Sequence, residues 1–98
     1  MIKNLEVQNV KNNGKEVPNQ FEIYYEEDNN HYKIFQSYSS MILKLENGKI
    51  IEIGNNWDYS RTTGKFRNLL TGMDKKSFEK MLKEDFEWNE GTQTYIRK

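Results

Sequence analysis

Between Leu5 and Ile53 the chain keeps returning to an alternation of apolar and polar residues, broken by short runs of Asn, Asp and Gly. No other feature constrains the fold as much. Alternate side chains of a strand point to opposite faces, and the interrupting residues are those that close hairpins. Leu5-Glu6-Val7-Gln8 opens the series. Asn12-Asn13-Gly14-Lys15 then supplies a turn, because Asn and Gly tolerate positive φ. The only proline, Pro18, falls where a strand begins or its edge is open.

Two hairpins can be given a register. Phe21-Glu22-Ile23-Tyr24-Tyr25-Glu26 and His31-Tyr32-Lys33-Ile34-Phe35-Gln36 flank the loop Glu27-Asp28-Asn29-Asn30. Closing it sets Tyr25 opposite Tyr32 and Ile23 opposite Ile34 on one face, with Glu26–His31 and Tyr24–Lys33 on the other. In the next pair, Met41, Leu43 and Leu45 face Ile51 and Ile53 across Asn47-Gly48. A two-residue loop there sets Leu43 against Glu52 and mixes the faces. A three-residue loop, Glu46-Asn47-Gly48 with Gly48 in the left-handed region, pairs Leu43 with Ile51 and Met41 with Ile53. The three-residue loop is the expectation.

After residue 54 the period changes from two to helical. Thr62 or Thr63, Phe66, Leu69 and Leu70 form an apolar stripe, with Ser60 as N-cap and Gly72 past the C-terminus. Gly64 within it costs about 1 kcal/mol against Ala, so this helix needs packing to persist. Asp74 caps a second helix, where Met73 and Phe78 make a hydrophobic staple and Phe78, Met81 and Leu82 the core face. Phe86 and Trp88 then alternate, Asn89-Glu90-Gly91-Thr92 turns, and Thr94-Tyr95-Ile96-Arg97 can return as a strand.

These elements predict an α+β fold: an antiparallel sheet of about five strands, built from hairpins, with two short helices packed on one face. The expected core is Leu5, Val7, Phe21, Ile23, Ile34, Met41, Leu43, Ile51, Ile53, Trp57, Phe66, Leu69, Leu70, Phe78, Met81 and Leu82. A length of 98 residues, without a linker or repeat, predicts a single domain over 1–98. The apolar composition is lean, but aromatics at 13% supply large side chains to bury.

Several function classes drop out on residue chemistry. Without cysteine there is no disulfide, thiolate zinc site or thiol nucleophile. No apolar run approaches the roughly 18 residues of a membrane span, and the N-terminus lacks the pattern of a signal peptide, so a cytoplasmic protein with no membrane partner is expected. His31 is the only imidazole, placed across a hairpin from Glu26 as a surface contact would be. No phosphate loop, nucleophile elbow or metal-spaced cluster is present, and Glu26-Glu27-Asp28 matches no cation loop. We therefore expect no enzyme, no catalytic residue, no metal and no cofactor.

Binding is the remaining class. The chain is neutral overall, yet residues 57–76 hold five Lys+Arg against two Asp, flanked by Trp57 and Tyr59. Arg61 and Lys65 share a helix face, with Arg67 on another. Basic groups near exposed aromatics suit phosphate contact with base stacking, although the surface lacks a wide basic field. Aromatics and arginine also dominate protein–protein hot spots. The candidate partner-binding residues are Tyr24, Tyr38, Trp57, Tyr59, Arg61, Lys65 and Arg67. A nucleic-acid site would instead draw on Arg61, Lys65, Arg67, Lys75 and Lys76. Gln36, Ser37, Ser39, Ser40 and Asn56 are polar groups near aromatics, expected to fix loops by hydrogen bonds to backbone.

Several runs recur together in a known group. Asn19-Gln20-Phe21, Phe35-Gln36-Ser37-Tyr38-Ser39-Ser40 and Asn47-Gly48-Lys49 lead to Trp57-Asp58-Tyr59-Ser60-Arg61-Thr62-Thr63-x-Lys65, and Lys75-Lys76-Ser77-Phe78-Glu79-Lys80 follows. In this order they resemble small proteins from phages and plasmids of Gram-positive bacteria. The resemblance runs to about residue 86, and the tail 87–98 departs from it. Some similar mobile-element proteins act as anti-CRISPR proteins, stoichiometric inhibitors of CRISPR effector nucleases. The resemblance thus implies a non-enzymatic inhibitor that binds and blocks a host defence nuclease, such as a type II Cas effector, in the host cytoplasm. A small nucleic-acid-binding accessory protein is the alternative, and a structural homo-oligomer is a third.

Overall fold

The computed structural model describes residues 1–98. Three hairpin turns follow directly from the sequence. β1 (Lys3–Asn12) and β2 (Lys15–Glu27) meet at Asn13-Gly14, with φ of 53° and 78°. β2 and β3 (Asn30–Ser37) meet at Asp28-Asn29, with φ of 51° and 66°. β4 (Ser40–Glu46) and β5 (Lys49–Gly54) meet at Asn47-Gly48, with φ of 50° and 84°. Two consecutive residues at positive φ give a turn whose twist matches the flanking strands, and Asn, Asp and Gly are the residues that accept it most readily.

The β2–β3 register has the expected pairs: Ile23–Ile34, Tyr24–Lys33, Tyr25–Tyr32 and Glu26–His31. The Tyr25 and Tyr32 rings stack with centroids 4.9 Å apart. The β4–β5 expectation fails. The loop has two residues, Glu46 pairs with Lys49, and Leu45 pairs with Ile50. A shift between Lys44 and Leu45 then leaves Ile51 unpaired and sets Lys44 against Glu52 and Leu43 against Ile53. The conflict between turn and faces is thus resolved by a bulge within β5 and not by a longer loop.

The strand count is also corrected, from five to seven. β6 (Phe86–Asn89) and β7 (Thr94–Arg97) form a further hairpin, and the sheet order is β1-β2-β3-β4-β5-β7-β6, antiparallel throughout. β7 enters between β5 and β6, where Tyr95 pairs with both Ile53 and Trp88. The Trp88 and Tyr95 rings meet edge to face at 4.9 Å. Residues 87–98 therefore complete the sheet.

Helix α1 (Arg61–Thr71) begins at Ser60, whose Oγ accepts from the Thr63 N–H, and ends at Gly72 with φ 72°. Helix α2 (Lys75–Asp85) begins at Asp74, whose Oδ1 accepts from the Ser77 N–H at 2.8 Å. Both caps stand where the sequence predicts them. Phe66, Phe78 and Leu82 from the helices join Phe35, Ile42, Leu43, Ile50, Ile53, Val10 and Phe86 in one core.

That core overturns part of the expected residue set. The sheet face against the helices carries Phe35, Leu43 and Ile53, the opposite face from Ile23 and Ile34. Phe21, Ile23, Ile34, Met41 and Ile51 are half-buried and stay outside the core cluster. Leu5 and Val7, each 61% exposed, lie on the edge strand β1. Alternation defines two faces but does not say which one the helices cover. On α1 the buried stripe is Thr63, Phe66 and Arg67, with Leu70 half-buried, while Leu69 is exposed. Spacing of four and three residues puts Arg67 in line with Thr63 and Leu70, on the side of the stripe away from Leu69.

Candidate functional site

The expected site lies where the chain leaves β5 and enters α1. Its most basic residue is not on the surface. Arg67 is 1% exposed, and its guanidinium carbon lies 5.3 Å from the Trp57 ring centroid and 5.0 Å from that of Phe78. Its Nη1 donates to the Trp57 carbonyl at 2.8 Å and to Asp58 Oδ1 at 3.3 Å. Nη2 and Nε donate to Asn68 Oδ1 at 2.9 and 3.2 Å. Only a planar, multi-donor cation satisfies two aromatic faces and three acceptors at once. Arg67 therefore ties the loop before α1 to the core, a correction to its place among the partner-binding residues.

Trp57 is corrected in the same way. Its ring is tilted against Phe78 with centroids 5.4 Å apart, and it packs on the core. Tyr24 belongs to another part of the sheet. Its hydroxyl donates to the Glu22 carboxylate, and Lys33 Nζ stands 5.5 Å from its ring centroid. Burial, reinforced by Glu22, pushes the Tyr24 phenol up to about 12. Tyr24 and Glu22 thus form a local polar group with Lys33, whose Nζ is 3.6 Å from Glu22.

The other four candidates do come together. Tyr38 and Tyr59, 51% and 72% exposed, both line a depression of about 540 Å³ between the β3–β4 turn and the start of α1. Its remaining lining is Ser37, Ser39, Ser40, Ile42, Asn56, Ser60, Thr62 and Thr63, with no charged side chain. Ser60 also borders a shallower groove holding Arg61, Lys65, Asp58 and Lys75. Arg61 and Lys65 form no ion pair, whereas Lys75 Nζ binds Asp58 Oδ2 at 2.8 Å. Hydrogen bonding to Lys75 lowers the Asp58 carboxyl below its ordinary range, with Arg67 adding to the effect, and the same contact raises Lys75. Of the five cations suited to nucleic acid, Arg67 is buried and Lys75 is engaged.

The hydroxyl-rich wall is cross-linked by hydrogen bonds. Ser37 and Thr63, both buried, share a hydrogen bond of 3.0 Å between β3 and α1. Asn56 donates to Ser40 Oγ at 3.0 Å, and Gln36 donates to the Tyr38 carbonyl at 2.7 Å. Of the polar residues expected to bond to backbone, Gln36 does so, Ser37, Ser40 and Asn56 bond to other side chains instead, and Ser39 makes no side-chain hydrogen bond. Their role in lining a depression was not legible, since it depends on β3–β4 and α1 meeting. Beside Ser37 in register, Gln20 is wholly buried with neither amide atom hydrogen-bonded.

Elsewhere, His31 Nδ1 lies 3.1 Å from Glu26 Oε1 as a surface contact. No group of three His, Asp or Glu side chains is placed to hold a metal ion. No helix is long and apolar enough to cross a membrane.

Fold and site together define a small α+β protein, one seven-stranded antiparallel sheet with two helices, presenting an aromatic and basic surface beside α1. The chain belongs to a family of unknown function (DUF8033), whose profile matches residues 6–88. No curated protein and no solved structure matches it.

Proposed function

We propose that this protein is a non-enzymatic inhibitor from a mobile element, binding a bacterial defence nuclease in the host cytoplasm and occluding it. The observation that carries the binding surface is the convergence of Tyr38, Tyr59, Arg61 and Lys65 on two adjoining depressions that share Ser60. Exposed tyrosines and unpaired arginine are the side chains that most often dominate protein interfaces. A patch of about 800 Å² per partner would seat such a contact, and the aromatic pair would form its desolvated centre. The nuclease as target rests on the resemblance of the Trp57–Lys65 motif to small phage and plasmid proteins. A CRISPR effector of type II is the target class to test first.

The test is a cleavage assay with guide-loaded effector nucleases and a matched DNA substrate, titrated with this protein at 300 mM salt. Inhibition complete near one equivalent, and relieved by Tyr59→Ala with Arg61→Glu, is the expected result. Undiminished cleavage at a large excess, across effectors from Gram-positive hosts, sinks the nuclease reading. Inhibition that disappears between about 50 and 200 mM salt would instead favour competition for nucleic acid through Arg61, Lys65 and Lys76.

A further inference from the structure

The β3–β4 turn, Tyr38-Ser39, departs from the two-residue turns at Asn13-Gly14, Asp28-Asn29 and Asn47-Gly48, where both residues have positive φ. Its first residue is Tyr38, with φ 55°, and neither Asn, Asp nor Gly occupies that position. A bulky side chain in the left-handed region carries a steric penalty that glycine lacks, and such strain persists only where the surroundings hold it. The surroundings here hold the backbone: the Tyr38 N–H donates to the Asn19 carbonyl at 2.7 Å, and its carbonyl accepts from Gln36. The side chain itself is held by no polar or aromatic contact. The Tyr38 hydroxyl forms no intramolecular hydrogen bond, the ring stacks on no other aromatic, and half of the residue is exposed on the rim of the neutral depression.

We propose that Tyr38 is the anchor residue of a docking site for an acidic segment of a partner protein. The Tyr38 and Tyr59 rings and the hydroxyl-lined depression receive an uncharged side chain of that segment, while its carboxylates meet Arg61 and Lys65. This deepens the binding-protein reading above and rests on it for the class of partner, but not on the nuclease as target. The charge assignment follows from the surface. The depression has no charged lining, the first turn of α1 has no acidic residue, and Asp58, the carboxylate in the adjoining groove, is engaged by Arg67 and Lys75. Arg61 and Lys65 have no acidic partner within the protein, Lys65 Nζ standing 5.4 Å from the Phe66 ring centroid, and both can meet a carboxylate of a partner.

The experiment has two arms, neither needing the nuclease. The first compares thermal unfolding of the wild type and Tyr38→Gly. A midpoint raised by about 4 °C or more is expected for relief of a strained turn. A midpoint that falls shows that the ring supports the fold, and overturns the anchor. In the second arm, a phage-displayed random peptide library is selected on the wild-type protein at low salt. The recovered peptides are then measured against Tyr38→Gly, Tyr59→Ala and Arg61→Glu. Acidic peptides that lose about 30-fold or more in affinity for either tyrosine variant are expected, and a smaller, salt-dependent loss for Arg61→Glu. No enrichment, peptides without Asp or Glu, or equal binding to all variants overturns the proposal. Tyr38-dependent binding of a single-stranded DNA oligonucleotide in place of peptides overturns it in favour of nucleic acid. Because the probe is a peptide library, failure here is distinct from failure to inhibit a nuclease.

Discussion

The guanidinium of Arg67 holds Trp57 twice, lying 5.3 Å from the centre of its ring and donating to its backbone carbonyl at 2.8 Å. One contact fixes the side chain and the other fixes the chain leading into α1. Since Arg67 is buried, its removal leaves the Trp57 carbonyl and Asn68 Oδ1 short of a donor and opens a void between the Trp57 and Phe78 rings. Arg67→Ala should cost about 3–5 kcal/mol by chemical denaturation, and Arg67→Lys most of that, because an ammonium cannot reproduce the planar fork. Arg61→Glu and Lys65→Glu, on the exposed side of the same helix, should each shift stability by less than about 0.5 kcal/mol. A tolerated Arg67→Ala would remove this residue from the core.

Two glycines invite opposite changes. An added Cβ at Gly64 meets only ordinary contacts, the nearest being Arg67 Nη2 at 3.6 Å. Gly64→Ala should therefore stabilise the protein by about 0.5–1 kcal/mol through better helix propensity. At Gly54 the same Cβ would lie 1.8 Å from the Met41 carbonyl oxygen, so β4 and β5 would have to separate. Gly54→Ala should destabilise by about 3 kcal/mol. Paired urea titrations of the two variants check both signs together.

Gln20 is wholly buried, with both amide atoms unbonded. A buried unsatisfied amide costs about 1–3 kcal/mol, and methionine has nearly its shape. Gln20→Met should raise the denaturation midpoint, by about 1 kcal/mol in stability. Loss of stability instead would mean that the amide is satisfied in solution.

The Tyr24 phenol, raised to about 12 from its ordinary 10, links stability to alkaline pH. Its folded pKa is above the unfolded one. The contribution is therefore complete below pH 10 and is lost as pH climbs through 12. Between those values the wild type should lose Tm more steeply than Tyr24→Phe, which has no phenol to ionise. Parallel slopes for the two proteins would exclude Tyr24 as the titrating group.

Much of this architecture could be read from residue order. Asn13-Gly14, Asp28-Asn29 and Asn47-Gly48 fall where turns belong, and both helix caps are spelled out by Ser60 and Asp74. The β2–β3 register followed from matching side chains across the strands. What could not be read depends on contacts distant in sequence. The bulge at Ile51 is set by the faces of β4 and β5 together, and the covered face of the sheet by where the helices land. For the site, Tyr38, Tyr59, Arg61 and Lys65 were legible as residue types. The seclusion of Arg67 was not, because a basic residue at that helical position reads as solvated until Trp57 and Phe78 close over it.

The position of β7 sets an order on assembly. The last strand in the sequence is an inner strand of the sheet, and β5 has its second neighbour only once residues 94–97 arrive. During synthesis the meander from β1 to β5 can pair as it emerges, but β5 and β6 must both wait for residues 94–97 to join them. Completion of the sheet thus waits for residues 94–97, which follow every other element in sequence. A chain cut short before Thr94 would leave the β5 edge open and free to seek another strand.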